Sequence, residues 1–406
     1  MSESKQPTAP PRPRIVLAPF GRHTRYMLAG YLRHVLIVIS ILLAIALTID
    51  LWPQFAQVAA KGSDNLSAVW SVARFSALRT PGLIAPLMPF ATFIGVLWTE
   101  VAHTQSGERM LVWNSGRSPL QCLSPVLFTG LILGAADFAM DGWLGPASMG
   151  IQMAERLGRD GEGLDRSKLS KPAWVAADGG ILRAQIEYGP PPVLRNVMFF
   201  ARNAGGKLSE VDIAPTATWQ GGTDFWVMRN GQYWNATNKA GVRQTVFMGK
   251  ATRQTMTPFD AKAITLSIDP LWFTWYDLQP QYIPLPVLAK LAASARVPEA
   301  HGRYETRLHV VLAETLLPGL MALLASSLAM LLLAYGTPAP VVVGILFGGY
   351  IAHFGIKACL IMGQNGFMNP VIAGWLVPGC LVVAVTCVFL LIEAQRKGRR
   401  SAIGKV

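Results

Sequence analysis

Residues 35–51 read VLIVISILLAIALTIDL, apolar except for Ser40, Thr48 and Asp50. With its flanks the run is long enough to cross a bilayer, which takes about twenty residues. Comparable runs follow at Leu83–Trp98, about Leu123–Leu144, Val310–Tyr335, Val341–Met362 and Val371–Ile392. Leu66–Leu78 looks helical ahead of the second run, and Pro81 and Pro86 are expected to kink or break that pair. No cleavable signal peptide is visible. The first thirty residues are basic and Pro-rich, and the apolar run after them is too long for a signal h-region.

Composition agrees. At 406 residues the length would allow about three ordinary domains. However, 51% of residues are apolar and only 15% charged, where a soluble chain carries about 25% charged. A disordered chain, a coiled coil and an ordinary cytosolic enzyme are excluded; a polytopic membrane protein with a soluble insert fits. Cys122, Cys359, Cys380 and Cys387 lie in apolar stretches, without a CxxC pair, and are expected to be small buried hydrophobes.

The net charge of +13 is read as topological rather than nucleic-acid-binding. Lys5, Arg12, Arg14, Arg22, Arg25 and Arg33 crowd the N-terminal side, and Arg396, Lys397, Arg399, Arg400 and Lys405 the C-terminal tail. Both tails are therefore expected in the cytoplasm, which requires an even number of spans, and six satisfies it. The expected organisation is residues 1–145 with three spans, 146–301 as an extracytoplasmic domain, and 302–406 with three more spans and a basic tail.

The insert reads as β-rich. Ala173–Ala177, Ile181–Tyr188, Val193–Ala201 and Phe225–Met228 are strand-length. They are separated by Asp178-Gly179-Gly180, Asn203-Ala204-Gly205-Gly206, Gln220-Gly221-Gly222 and Asn230-Gly231, the last a tight-hairpin signal. Such strands suggest a sandwich or jelly roll. Gln152–Leu157 is expected to lead in as helix and Leu285–Leu291 to lead back to the membrane.

No GxxxxGK[ST] loop, HExxH spacing, Cys/His cluster or GxSxG elbow occurs, so neither ATP hydrolysis nor a metal site is expected of this chain. Asp137 and Asp141 share a helix face in the third span: either a proton relay or, more simply, two acids solvated at the interface. After the second span, Gly107–Trp113 can form a short amphipathic helix that Gly116 can end. It either docks a cytoplasmic partner or rests on the membrane surface. In the fifth span Gly344 and Gly348 form a GxxxG helix-packing pattern, and His353 and Lys357 share a face. Lys61, Arg74, Arg79, Arg307 and His309 lie at the same level. Together these cations either collect anionic headgroups or simply anchor at the interface.

The order of parts resembles the LptF/LptG permease family over essentially the whole chain. Residues 106–116, SGERMLVWNSG, look like the family's SELxxLxAsGxs loop, with Glu108 on the acidic position and Ser115-Gly116 on its Ser-Gly. Arg25-Tyr26, Pro86, Pro318 and Gly344–Gly348 also match. Residues 169–179, LSKPAWVAADG, and Gly302-Arg303-Tyr304 look more like the LptG branch.

The resemblance implies a lipopolysaccharide export permease of the Gram-negative inner membrane, with a periplasmic β-jellyroll between the third and fourth spans. Its implied partners are an LptB-like ATPase dimer, an LptF-like second permease, LptC/LptA-like jellyroll proteins, lipopolysaccharide and membrane lipids; no cofactor is implied. Glu108, Arg109, Leu111, Trp113, Ser115 and Gly116 would couple to the ATPase. Lys61, Arg74, Arg79, Arg307, His353 and Lys357 would be lipopolysaccharide-binding candidates. The chain departs from the family in three places: the lysine-rich end of the first span is replaced by Asp50–Gln57, Glu314 stands where a basic residue is usual, and Arg109 and Trp113 are unusual in the loop. A membrane-anchored β-domain receptor or assembly factor is the alternative. A lipid-modifying enzyme would have only the scattered Asp137, Asp141, His309 and Glu314 to work with.

Overall fold

The computed structural model describes residues 21–114, 119–164, 166–177, 179–222, 224–236, 256–298, 301–334 and 336–403. Helix α1 (Arg22–Leu51) contains the opening apolar run. Ile41, Ile45 and Ile49, one helical turn apart, stand exposed on one stripe, a surface suited to lipid rather than to the protein interior. Helix α2 (Asn65–Ile84) starts at a capping box: the Ser67 amide donates to Asp64 Oδ1 at 3.3 Å and the Asp64 amide to Ser67 Oγ at 3.0 Å. It runs through Pro81, tightens to a 3₁₀ turn at Ala85–Leu87 around Pro86, and continues as α3 (Met88–Gln105). A short helix, α4 (Glu108–Asn114), follows.

Helices α5 (Ser124–Ala139) and α6 (Gly145–Glu155) are joined by a wider π turn at Met140–Leu144. That turn carries the chain past Pro146, which has no N–H to give the Gly142 carbonyl. The stretch Ser124–Glu155 is long and apolar enough to cross a membrane. The boundary expected at residue 146 therefore falls inside helix, and the first strand begins only at Ala173.

Among the described residues six strands follow: β1 (Ala173–Ala177), β2 (Gly180–Glu187), β3 (Val193–Arg202), β4 (Leu208–Trp219), β5 (Phe225–Asn235) and β6 (Thr257–Thr265). They form one antiparallel sheet in sequence order. Among the described residues this is a single meander, where the turn spacing had suggested a two-sheet sandwich or jelly roll. Tight turns between the early strands hand each one to its immediate neighbour. The Asn230-Gly231 hairpin signal is corrected: β5 runs straight through it. Asn230 does take positive φ, at 54°. The two residues lie opposite Ala214 and Pro215, where Pro215 has no N–H for the ladder. A side chain on Gly231 would run into the Ile213 carbonyl and the Phe259 ring.

One face of the sheet alternates inward. Leu182, Ala184, Ile186, Leu194, Val197, Trp226 and Met228 are buried against Trp272, Phe273 and Leu278 of the return segment and Leu288 and Leu291 of α7 (Leu285–Ala293). Trp226 meets Phe273 edge to face at 5.2 Å. Each such buried side chain stabilises by about 1.5–3 kcal/mol before entropy is counted. Tyr304 from the next helix joins this core and ties it to the bundle.

Helices α8 (His301–Glu314) and α9 (Leu317–Leu332) are bent by 47°. Pro318 explains the break, since it cannot donate to the Glu314 carbonyl four residues back. Helices α10 (Ala339–Gln364) and α11 (Pro370–Ile403) complete the chain. Among the described residues five helices are long and apolar enough to cross a membrane, and the bent pair passes the same test together. Phe93, Leu97, Val126, Met321, Ala325 and Ala329 form the centre of the helical core. Phe347 and Phe354 of α10 and Val383 and Leu390 of α11 face outward. Cys122 and Cys359 are buried as expected, but Cys380 and Cys387 are exposed on the broad outer face of α11.

Candidate functional site

Helices α2, α8 and α10 and the π turn after α5 carry acidic and basic side chains to one cavity of about 270 Å³, lined among others by Arg79, Asp141, Tyr282, Arg307, Glu314 and Lys357. Arg79 grips Asp50 of α1 in a fork, Nε to Oδ2 at 2.8 Å and Nη2 to Oδ1 at 3.0 Å. It also reaches Asp160 at 3.2 Å and the Tyr282 hydroxyl at 3.4 Å. Arg307, with a side chain only 6% exposed, donates Nη2 to Asp141 Oδ1 at 2.5 Å and lies 3.6 Å from Glu314. Lys357 is 3.9 Å from the other Glu314 oxygen and about a third exposed. Asp137 is buried behind them, and its Oδ1 has no hydrogen-bond partner.

Asp137 and Asp141 are thus not solvated acids at an interface. They face α8, because the helix side opposite the lipid-facing Leu127 and Leu131 turns inward. A buried carboxylate is costly unless paired; Asp141 and Glu314 meet Arg307, and Glu314 also lies near Lys357. These contacts hold Arg307 and Lys357 in place without a bound ligand. Lys357, on the longest contact and the most exposed, is the cation here most open to an outside anion.

Arg79, Arg307 and Lys357 therefore meet at one cavity. Lys61 and Arg74 do not line it: Lys61 pairs with Glu162 at 3.2 Å, and Arg74 forks onto Glu155, with Nε 2.7 Å from Oε2. His353 stacks on Phe90, ring centroids 5.3 Å apart, with Nδ1 buried. Asp50, Asp160 and Tyr282 were missed by sequence reading, since only folding brings them to Arg79.

At the opposite end of the bundle, α4 packs against α3. Gly107 takes positive φ, 75°, to turn the chain between them. Glu108 lies 3.1 Å from His103 Nδ1 and accepts from the Tyr26 hydroxyl at 3.3 Å. Arg109 is buried, and Trp113 and Val112 pack on the helical core. Met110 and Leu111 project outward, Leu111 70% exposed. Ser115 and Gly116 lie outside the described residues. A groove of about 360 Å³ beside α4 is lined by Tyr26, Arg33, His34, His103 and Glu108, among others. Among the described residues no group of three or more His, Cys, Asp or Glu side chains is arranged to hold a metal ion.

Among the described residues the GxxxG pattern of α10 does not mediate packing. Gly344 and Gly348 face open space, while Gly349, on the next face, meets the Phe93 ring. The close contacts are made by Gly130 and Gly134 of α5, also a GxxxG pair, against Gly319 and Thr315. That signal was present in the sequence and overlooked.

No curated protein matches the chain. The family model for the lipopolysaccharide export system permease LptF/LptG matches residues 25–393, without separating the two branches. Its long apolar helices and the antiparallel sheet in the middle of the chain fit a multi-pass membrane permease, and the chain belongs to the LptF/LptG family.

Proposed function

We propose that this chain is the permease subunit of an exporter that draws lipopolysaccharide from the bacterial inner membrane and passes it to a periplasmic β-jellyroll bridge. In this reading the bent pair α8–α9 is one span, the chain crosses six times, and both termini are cytoplasmic. The β domain, a jellyroll in the family, then stands in the periplasm between LptC/LptA-like proteins and the membrane. The residues at 169–179 and 302–304 favour the LptG side of the family, with an LptF-like subunit as the second permease.

The observation that carries the reading is α4. A short helix lies between two spans with Met110 and Leu111 outward and Glu108 at its start. An apolar pair beside a carboxylate suits insertion into a cleft of a cytoplasmic protein, and the sequence carries no GxxxxGK[ST] loop. An LptB-like ATPase dimer is the proposed occupant. At the other end, Arg79, Arg307 and Lys357 place positive charge around a cavity that suits the phosphates of a glycolipid headgroup. The open face of α10 with Gly344 and Gly348 is available to the second permease.

The test is recovery of the tagged chain from its own membranes in mild detergent, with proteins and lipids identified by mass spectrometry. A cytoplasmic ATPase, a second six-span permease and lipopolysaccharide are expected. Recovery of the chain alone, or with signalling proteins and no glycolipid, overturns the reading in favour of a receptor.

A further inference from the structure

We infer that Glu100 and Arg109 form a strut that transmits displacement of α4 into the first, second and fourth spans, and that Arg109 is a positioning residue rather than an ATPase contact. The inference rests on the proposed role of α4 as the element that receives the ATPase.

Four elements converge on one carboxylate. Arg109 of α4 donates Nη2 to Glu100 Oε2 at 2.6 Å and to the Glu100 carbonyl at 3.0 Å. The other oxygen, Oε1, accepts the Tyr31 hydroxyl of α1 at 2.5 Å and the Ser326 hydroxyl of α9 at 2.6 Å. Glu100 is 4% exposed, Arg109 6%, and Tyr31 and Ser326 0%. Arg109 is thus turned away from the surface on which Met110 and Leu111 lie, and no partner protein can reach its guanidinium without unseating α4.

Burial makes the linkage stiff. A charged hydrogen bond in a dry site is strong, and separating the pair would strand two charges away from water. The carboxylate is held from both sides, so α4 cannot shift without drawing on the hydroxyls of α1 and α9. Tyr31 lies one turn before the buried Val35 on α1, the helix whose outer stripe carries Ile41, Ile45 and Ile49, and Ser326 lies mid-way along α9. A push on α4 therefore reaches one helix with a lipid face and one joined through the Pro318 bend to α8, which lines the cavity. Trp113 and Val112 pack the helix onto the core.

The test uses the complex purified from its own membranes, comparing wild type with Glu100→Leu/Arg109→Met, with Arg109→Lys and with Tyr31→Phe/Ser326→Ala. Replacing both charges by apolar groups of similar size removes the strut without leaving a stranded charge, so the fold is retained. The wild-type complex tests the functional reading; the ratio of variant to wild type tests the strut. Expected are an unchanged yield of bound ATPase and a fall of about tenfold in lipid released per ATP hydrolysed in the apolar pair. Arg109→Lys should recover part of that loss. Amide hydrogen exchange over residues 106–114 should rise in the apolar pair, a readout that does not depend on the ATPase. Unchanged release per ATP and unchanged exchange overturn the strut. Loss of the bound ATPase from a folded apolar-pair complex also overturns it, because Arg109 would then be a docking residue.

Discussion

Gly130 of α5 and Gly319 of α9 pack backbone to backbone: a Cβ added to Gly130 would lie 2.5 Å from the Gly319 Cα. One turn on, Gly134 presses equally closely on the Thr315 carbonyl. This seam sets how near the third and fourth spans approach. Gly130→Leu should destabilise the chain by about 1–3 kcal/mol, the usual range for overpacking, seen as a lower unfolding temperature in detergent. Gly344→Leu, with nothing within 4 Å of its added carbon, should leave that temperature unchanged. Equal shifts in the two variants would contradict the seam.

The contrast shows what the sequence does and does not reveal. Helix positions were legible because long apolar runs between prolines leave few alternatives, and β1 was placed at Ala173–Ala177 to the residue. Strands β4 and β6 were missed. Their residues, such as Glu210, Asp212, Asp260 and Lys262, look like loop, yet Lys262 lies 2.5 Å from both Glu210 and Asp212, so these charges satisfy one another across the sheet. Polar cross-strand pairs leave no hydrophobic period to detect. Helical GxxxG patterns are likewise ambiguous alone: the sequence cannot say which of two such faces meets a neighbour in the same chain. The cations that converge on the cavity were visible as charges. Their carboxylate partners were not, because Arg79 and Asp50, or Arg307 and Asp141, come together only in the bundle.

The fork between Arg79 and Asp50 ties the second span to the first. Asp50→Asn keeps the shape but removes the charge, and should cost about 2 kcal/mol, the range for a hydrogen bond to a charged group. Thermal unfolding measures it. Arg79 would then be freer for an outside anion, so glycolipid crosslinking from a photoreactive residue at Gln281 should rise. A fall in crosslinking would mean that Asp50 holds Arg79 in its binding position.

Tyr188, beside the β domain's Arg166, carries a pH prediction. Burial, then the charge of Asp277, push its hydroxyl up to about 12 from the ordinary 10.0, against the opposing pull of Arg166; Tyr276 adds to the rise. Arg166 stands over the Tyr188 ring, 5.4 Å from its centroid. Between these two pH values the unfolded chain loses the proton and the folded chain keeps it, so stability falls as pH rises through that window. Tyr188→Phe removes this part of the alkaline loss. The difference in unfolding temperature between wild type and variant should therefore shift in the variant's favour from pH 10 to 12, while the folded wild type titrates one late phenolate that the variant lacks. A pH-independent difference would show that the Tyr188 hydroxyl is open to water.

Arg307 and Lys357 share Glu314 but should behave differently on substitution. Arg307 is buried against Asp141 at 2.5 Å, so Arg307→Ala strands a carboxylate and should destabilise by about 3–5 kcal/mol. Lys357 is about a third exposed and 3.9 Å from Glu314; an exposed pair of this kind is worth roughly 1 kcal/mol or less. Lys357→Ala should therefore unfold at nearly the wild-type temperature. If Lys357 and His353 together stand in for the lysines missing from the end of α1, the double variant His353→Ala/Lys357→Ala should lose glycolipid crosslinking by about tenfold, the effect of removing one charge-assisted contact. Because His353 is stacked on Phe90 rather than lining the cavity, most of that loss should be reproduced by Lys357→Ala alone. Unchanged crosslinking in both variants, in a chain that remains folded, would remove these two residues from the headgroup site and leave Arg79 as the cation to examine.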